Sequence, residues 1–179
     1  MMMRWLASTS LVLLTFPLVA TSAETSHWTA GVGIGQSDID FVGIDDEATS
    51  WKVFGGYQFA RNVAVEISYI DTGTFSENIS GVSARLGADA IGASVLGIIP
   101  LSESFAIYAR AGAIQWDATL RLTGPGGSIT ASDDGTDFAW GVGAKLMGES
   151  GSALRLEYEA SEIDDSDIAI ISLLVSFDF

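Results

Sequence analysis

The feature that most constrains this chain is a two-residue rhythm of apolar and polar side chains that recurs in eight segments. Two residues is the side-chain period of a β-strand, where successive residues point to opposite faces. Leu154-Arg155-Leu156-Glu157-Tyr158-Glu159-Ala160 shows it most cleanly, with Leu, Leu, Tyr and Ala on one face and Arg, Glu and Glu on the other. A helix would mix these sets. Val63-Ala64-Val65-Glu66-Ile67-Ser68-Tyr69 repeats the pattern. Trp28 to Gln36 alternates Trp28, Ala30, Val32 and Ile34 with Thr29, Gly31, Gly33 and Gly35. That glycine spacing is strictly two, lacks the GxGxxG form and precedes no helical pattern, which argues against a phosphate-binding loop. The segments fall at roughly 28–37, 50–58, 62–71, 83–98, 105–117, 137–147, 152–161 and 168–179. In the fourth, the odd positions hold Arg85 and Asp89 but also Ile91 and Val95, a change of phase that a β-bulge would explain.

The connections alternate in length. Phe59-Ala60-Arg61, Pro100 to Ser104 and Gly148-Glu149-Ser150-Gly151 are short, whereas 38–49, 72–82, 118–136 and 162–167 are longer. An up-and-down meander with its short turns at one end does this, and strands of about 9–11 residues cross a bilayer at a tilt. A soluble eight-stranded barrel, such as a lipocalin, has the same period but turns its apolar face inward. The aromatics separate the two cases. With the apolar phase outward, Trp28, Tyr57, Phe59, Phe105, Phe177 and Phe179 gather at one rim and Trp51, Tyr69, Phe138, Trp140 and Tyr158 at the other. Between them the face is aliphatic: Val32, Val53, Val65, Ile67, Ile107, Val142, Leu154, Leu156 and Leu173. Two aromatic bands around an aliphatic belt match the interface preference of Trp and Tyr. The expected fold is therefore all-β, a closed eight-stranded antiparallel up-and-down transmembrane β-barrel.

Composition agrees. The chain of 179 residues carries a formal charge of −15 yet is 48% hydrophobic, with mean hydropathy +0.36. Such a chain must segregate its two kinds of residue. Eight Lys+Arg against 23 Asp+Glu argue against a nucleic-acid partner. Zero Cys excludes disulfides, thiolate metal sites and a cysteine nucleophile. Residues 1–23 read as a cleaved signal peptide: Arg4 is the basic start, Leu11 to Ala20 the apolar stretch, and Thr21-Ser22-Ala23 the small residues of a cleavage site. An N-terminal membrane anchor is the alternative. The barrel domain is expected over 24–179.

The inward phase collects Lys52, Glu66, Arg110, Lys145, Arg155, Glu157 and Glu159, with Arg85 and Asp89 expected to join them. An eight-stranded barrel is only wide enough to be filled by side chains. Charges confined there must pair, so the set reads as a salt-bridge plug, with a proton or ion relay as the alternative. Gly31, Gly33, Gly141 and Gly143 leave room for the long cationic chains.

Three stretches then make the sequence resemble a known family. They are Val53-Phe54-Gly55-Gly56-Tyr57-Gln58-Phe59, Asn62-Val63-Ala64-Val65-Glu66-Ile67-Ser68-Tyr69 and Asp134-Gly135-Thr136-Asp137-Phe138-Ala139-Trp140-Gly141-Val142-Gly143-Ala144. Together they are similar to the OmpA-like small outer-membrane β-barrel proteins, often called porin-family proteins. The resemblance implies a Gram-negative outer-membrane location with periplasmic termini and extracellular long loops, in contact with outer-membrane lipid and lipopolysaccharide. Val175-Ser176-Phe177-Asp178-Phe179 is similar to the terminal signal such proteins present to the assembly machinery, with Val175, Phe177 and Phe179 as its readable side chains. Longer members carry a peptidoglycan-binding domain after the barrel, and that role is not carried over to this chain.

No cofactor or catalytic motif is apparent. The one His, His27, precedes the first strand and cannot serve a Ser at the opposite rim, so no enzyme is expected. Acidic loops hold Asp38, Asp40, Asp45, Asp46 and Glu47, then Asp133, Asp134 and Asp137, then Glu162, Asp164, Asp165 and Asp167. They read as a solvated repulsive face, with divalent cations as possible partners but no defined metal site. A structural or narrow porin-like role is the first expectation, and adhesion through the acidic outer loops the second.

Overall fold

The computed structural model describes residues 26–41, 44–79, 82–163 and 166–179, with side chains described outside 38–47, 77–82 and 162–167. The expected leader 1–23 and the side chains of Asp38, Asp40, Asp45, Asp46, Glu47, Glu162, Asp164, Asp165 and Asp167 lie outside this description. Eight strands close into one barrel in sequence order: β1 (His27–Phe41), β2 (Ile44–Ala60), β3 (Val63–Ile79), β4 (Val82–Pro100), β5 (Phe105–Gly124), β6 (Gly127–Met147), β7 (Ser152–Ile163) and β8 (Ser166–Asp178). Every neighbouring pair is antiparallel, and β1 closes on β8. Residues Trp28 and Phe179 finish the seam by exchanging two backbone hydrogen bonds of 2.9 Å.

The stagger of the ring sets its width. Followed one way along backbone pairs, Ala139 leads through Gly112, Ser94, Glu66, Gly56 and Thr29 to Asp178; the other way it leads through Ser161 to Ile168, ten residues from Asp178 on β8. A stagger of this size on eight strands tilts them by about 40° and leaves a backbone radius of about 8 Å. Side chains fill such a space.

The outward face carries the expected belt. Val32, Ile34, Ile67, Ile91, Val95, Leu156 and Ile171 are all exposed there, and no soluble protein of this size would leave such a continuous apolar ring to water. Tilted aromatic pairs meet across strands at both rims: Trp28 with Tyr57 at 4.9 Å, Trp51 with Tyr69 at 5.3 Å and Trp140 with Tyr158 at 5.9 Å between ring centroids.

Among the described residues, the long connections prove to be largely strand. The segment 118–136 is a hairpin that turns at Pro125-Gly126, and β3 and β4 likewise run to Ile79 and Val82. Strand β6 pairs with β5 over its whole length but with β7, among the described residues, only from Ala139↔Ser161 onward. Similarly β2 pairs with β3, among the described residues, only from Trp51↔Asp71. The far ends of β3, β4, β5 and β6 thus form a four-stranded sheet that stands beyond the ring. Its inward side bears Phe75, Leu86, Leu120, Leu122 and Ile129; Phe75 and Leu86 pack with Ala48 and Ile168 over the mouth.

Two expectations about phase are corrected here. The bulge lies in β3, not in the fourth segment: Asp71 faces Asp89 but Thr74 faces Gly87. It moves the inward phase from Ile70 and Thr72 to Phe75, all buried. By contrast β4 pairs with β5 without a shift from Ser83 to Pro100. Arg85 and Asp89 therefore share the outward face with Ile91 and Val95, and neither enters the lumen. The reason is a change of solvent. Up to Ile91 the outward face meets lipid, and beyond it the same face meets water, so polarity inverts while the backbone phase continues.

Gly73 makes the bulge possible. Its φ is +83°, its N–H donates to the Asp71 carboxylate at 2.8 Å, and a Cβ there would run into the Thr49 carbonyl oxygen. Gly73→Val is expected to destabilise the refolded barrel by about 1–3 kcal/mol, read as a lower urea midpoint in lipid bilayers.

Candidate functional site: the charged lumen

Successive inward residues on each strand descend through the barrel in layers. On β3 they run Ala64, Glu66, Ser68, Ile70 and Thr72, and on β7 Ala153, Arg155, Glu157 and Glu159, all but Thr72 lying within the ring and all buried. A small apolar layer of Ala64, Leu96, Tyr108 and Ile98 lies toward the short-turn end. At the other mouth sit Ala48, Phe75, Leu86 and Ile168. The ions lie between these two apolar layers.

Six of the nine expected residues form one cluster. Lys52 Nζ reaches Glu157 Oε1 at 2.5 Å and Glu159 Oε2 at 2.7 Å. Arg110 Nη1 contacts Glu66 at 3.1 Å and both Glu157 and Glu159 at 3.0 Å. Arg155 spans Glu66 and Glu157, each at 2.8 Å. Three cations meet three carboxylates, and each carboxylate touches at least two cations. The cluster is neutral and joins β2, β3, β5 and β7 across the lumen; Arg110 also donates to Ser94 Oγ on β4 at 2.9 Å. Glu157 is the hub, at 1% exposure.

Lys145 occupies the lumen but not this cluster. It pairs with Asp178 at 2.9 Å near the short-turn mouth, where the Thr29 hydroxyl also donates to Asp178 at 2.6 Å and His27 Nε2 lies 3.5 Å away. Arg85 and Asp89 are outside, as described above. Val175 and Phe177 are exposed on the outward face of β8, and Phe179 is exposed just beyond its end.

Sequence reasoning missed three residues, two in the cluster and one beside Lys145. Tyr108 donates to Glu157 at 2.7 Å and accepts from Arg155 Nε at 3.0 Å. Phe54 and Tyr108 flank the Arg155 guanidinium at 4.4 and 4.8 Å from their ring centroids, a cation–π sandwich. Asp178 holds Lys145. Parity was the available signal: Phe54 shares its phase with Lys52, Tyr108 with Arg110, and Asp178 with Ser176. The glycine expectation is also refined. Gly141 does leave room for the Arg110 chain, but Gly31 and Gly143 leave room for the Phe54 and Tyr108 rings, and Gly33 for Leu174.

A cavity of about 40 Å³ on the short-turn side is lined by Gln58, Glu66, Tyr108, Lys145 and Arg155, among others. That cavity has room for about two or three waters.

Comparison with known proteins places this architecture. The family model for the outer membrane protein beta-barrel domain matches residues 8–179. Outer membrane protein A of Shigella flexneri is 30% identical over 186 residues, which cover 92% of this chain and 52% of that protein. The chain thus spans about half the length of this curated relative. Among solved structures, Ail of Yersinia pestis superposes with a TM-score of 0.67 at 20% identity, covering 86% of this chain and 99% of Ail. Neisserial surface protein A gives 0.72 at 13% identity, covering 87% and 100%. Identities this low speak for the fold alone.

The cluster's neutrality is directly testable. Lys52→Met leaves an uncompensated buried carboxylate and is expected to cost about 3–5 kcal/mol in urea unfolding, as is Glu157→Gln for the opposite reason. The double variant Lys52→Met/Glu159→Gln restores neutrality and is expected to recover at least half of the Lys52→Met loss, a coupling that a double-mutant cycle measures.

Proposed function

This chain belongs to the outer membrane protein β-barrel family and resides in the outer membrane, and from that premise we propose that it is a structural barrel with a closed lumen, which anchors a sheet on the cell surface. The neutral cluster spanning the lumen between two apolar layers is the observation that carries this reading. An ion entering the barrel would have to displace groups that already satisfy one another, and the desolvation cost of doing so is several kcal/mol per ion. The short turns and both chain ends then face the periplasm, and the four-stranded extension of β3–β6 faces outward. No catalytic chemistry is assigned to it.

A second reading, attachment to other surfaces, is favoured by that extension, which carries more backbone beyond the ring than closure of a barrel requires. In assembly, Val175, Phe177 and Phe179 present alternate side chains on the outer side of the closing strand, where insertion machinery can grip them before β1 pairs.

Planar-bilayer recording of the refolded protein tests the closed lumen. The expected outcome is no steady conductance above background; reproducible single-channel steps would replace the structural role with a narrow pore. For assembly, Phe179→Ala is expected to slow insertion severalfold in liposomes bearing the assembly machinery while leaving spontaneous refolding in detergent within twofold.

A further inference from the structure

The chain has only 8 Lys and Arg, and the fold accounts for most of them. Arg4 precedes the described residues. Lys52, Arg110 and Arg155 are in the lumen cluster, Lys145 holds Asp178, and Arg61 lies in the turn between β2 and β3. The two that remain, Arg85 on β4 and Arg121 on β5, are direct cross-strand partners. Both are exposed on the outward side of the projecting sheet. Like charges directly opposed across strands are destabilising.

Their surroundings do not neutralise them. Opposite Arg85 on β3 is Ser76, and opposite Arg121 on β6 is Thr130. Thr119 and Thr123 flank Arg121 on the same face of β5. The nearest carboxylates of that face along these two strands are Asp89 and Asp117, four residues away or roughly 13 Å. Among the described residues neither guanidinium takes part in an ion pair. In a chain with 23 acids, two adjacent cations stand among hydroxyls with no carboxylate partner among the described residues.

We propose that Arg85 and Arg121 grip a phosphate carried on the sugar of a lipopolysaccharide molecule beside the barrel. Guanidinium forks match phosphate oxygens in bidentate geometry, and the flanking hydroxyls add donors. The level fits a sugar rather than a lipid headgroup. Arg85 lies six residues beyond Ile91, the last lipid-facing residue of β4, which is roughly 15 Å along the barrel axis for a tilted strand. The side chains point away from the barrel axis, toward neighbouring lipids. The acidic residues elsewhere on this surface repel a free anion, so the site favours a phosphate that the membrane already holds beside it. This inference rests on the outer-membrane reading.

The test uses the detergent-refolded barrel and the soluble core oligosaccharide released from lipopolysaccharide, either with its phosphates or after their chemical removal, with inorganic phosphate as a third probe. The phosphorylated oligosaccharide is expected to bind in a salt-dependent manner. Arg85→Ser/Arg121→Ser is expected to weaken it at least tenfold, and Arg85→Lys/Arg121→Lys to weaken it less. Arg61→Ser, at the opposite end of the barrel, should leave binding unchanged. Equal binding by the double serine variant, equal binding of the dephosphorylated oligosaccharide, or no binding of the phosphorylated one overturns the proposal. Inorganic phosphate binding as tightly as the oligosaccharide overturns the membrane-borne source. Heat-modifiable gel mobility reports the fold of each variant separately. A wild-type chain that fails to form a barrel in detergent would instead sink the outer-membrane reading.

Discussion

A bilayer core offers no water to hydrogen-bond a peptide group, so a chain that crosses it as strands must close them into a ring. Everything else in this protein follows from that closure. The β1–β8 seam, completed by the reciprocal Trp28–Phe179 bonds, leaves no edge in the ring. Eight strands staggered by ten residues make the ring narrow, and a narrow ring puts the inward side chains of its middle layers out of reach of bulk water. The lumen must then be packed as a core, although its wall faces lipid rather than solvent.

Within such a core, charge is tolerable only when it is cancelled. Taking one ion from water costs several kcal/mol, and a single contact does not offset that. Here each carboxylate meets at least two cations, and Arg155 also lies between two aromatic faces. The cluster's contribution is therefore a matter of balance. Loss of one member exposes the desolvation cost of the others, while removal of a matched pair does not. The outlying Lys145–Asp178 pair, partly exposed near a mouth, follows the weaker rule of exposed ion pairs and contributes about 1 kcal/mol at most.

How much of this can be read from sequence depends on what a two-residue period encodes. The period reports which residues share a face, and that is enough to put Lys52, Glu66, Arg110, Arg155, Glu157 and Glu159 on the inward side. It also holds for Phe54 and Tyr108, which share the parity of Lys52 and Arg110, but parity alone does not say that an uncharged ring will join a cluster of ions. The long connections were illegible for a different reason. Leu120-Arg121-Leu122-Thr123 and Ser128-Ile129-Thr130-Ala131 do alternate around Pro125-Gly126, yet their apolar phase is opposite to that of the membrane belt. A reader who takes apolar as outward loses the strand at that point. The bulge at Gly73 left no local mark, because a single extra residue changes phase without changing composition.

The inversion of polarity is itself informative about where the membrane ends. Asp71, Asp89, Asp117 and Asp134 stand on four adjacent strands in direct register, all on the outward face. In hydrocarbon such a row would be prohibitive, since each ion would lose its hydration and face another of the same sign. In water the repulsion between neighbours falls to about 1 kcal/mol at contact distance, and hydration compensates the rest. The row can therefore exist only where the outward face is wet, and it begins immediately past Tyr69 on β3 and Ile91 on β4. A purely apolar or purely polar strand could not fix that level. Strands that keep one backbone phase through two solvents do fix it, because each residue type on the outward face then reports the medium it stands in.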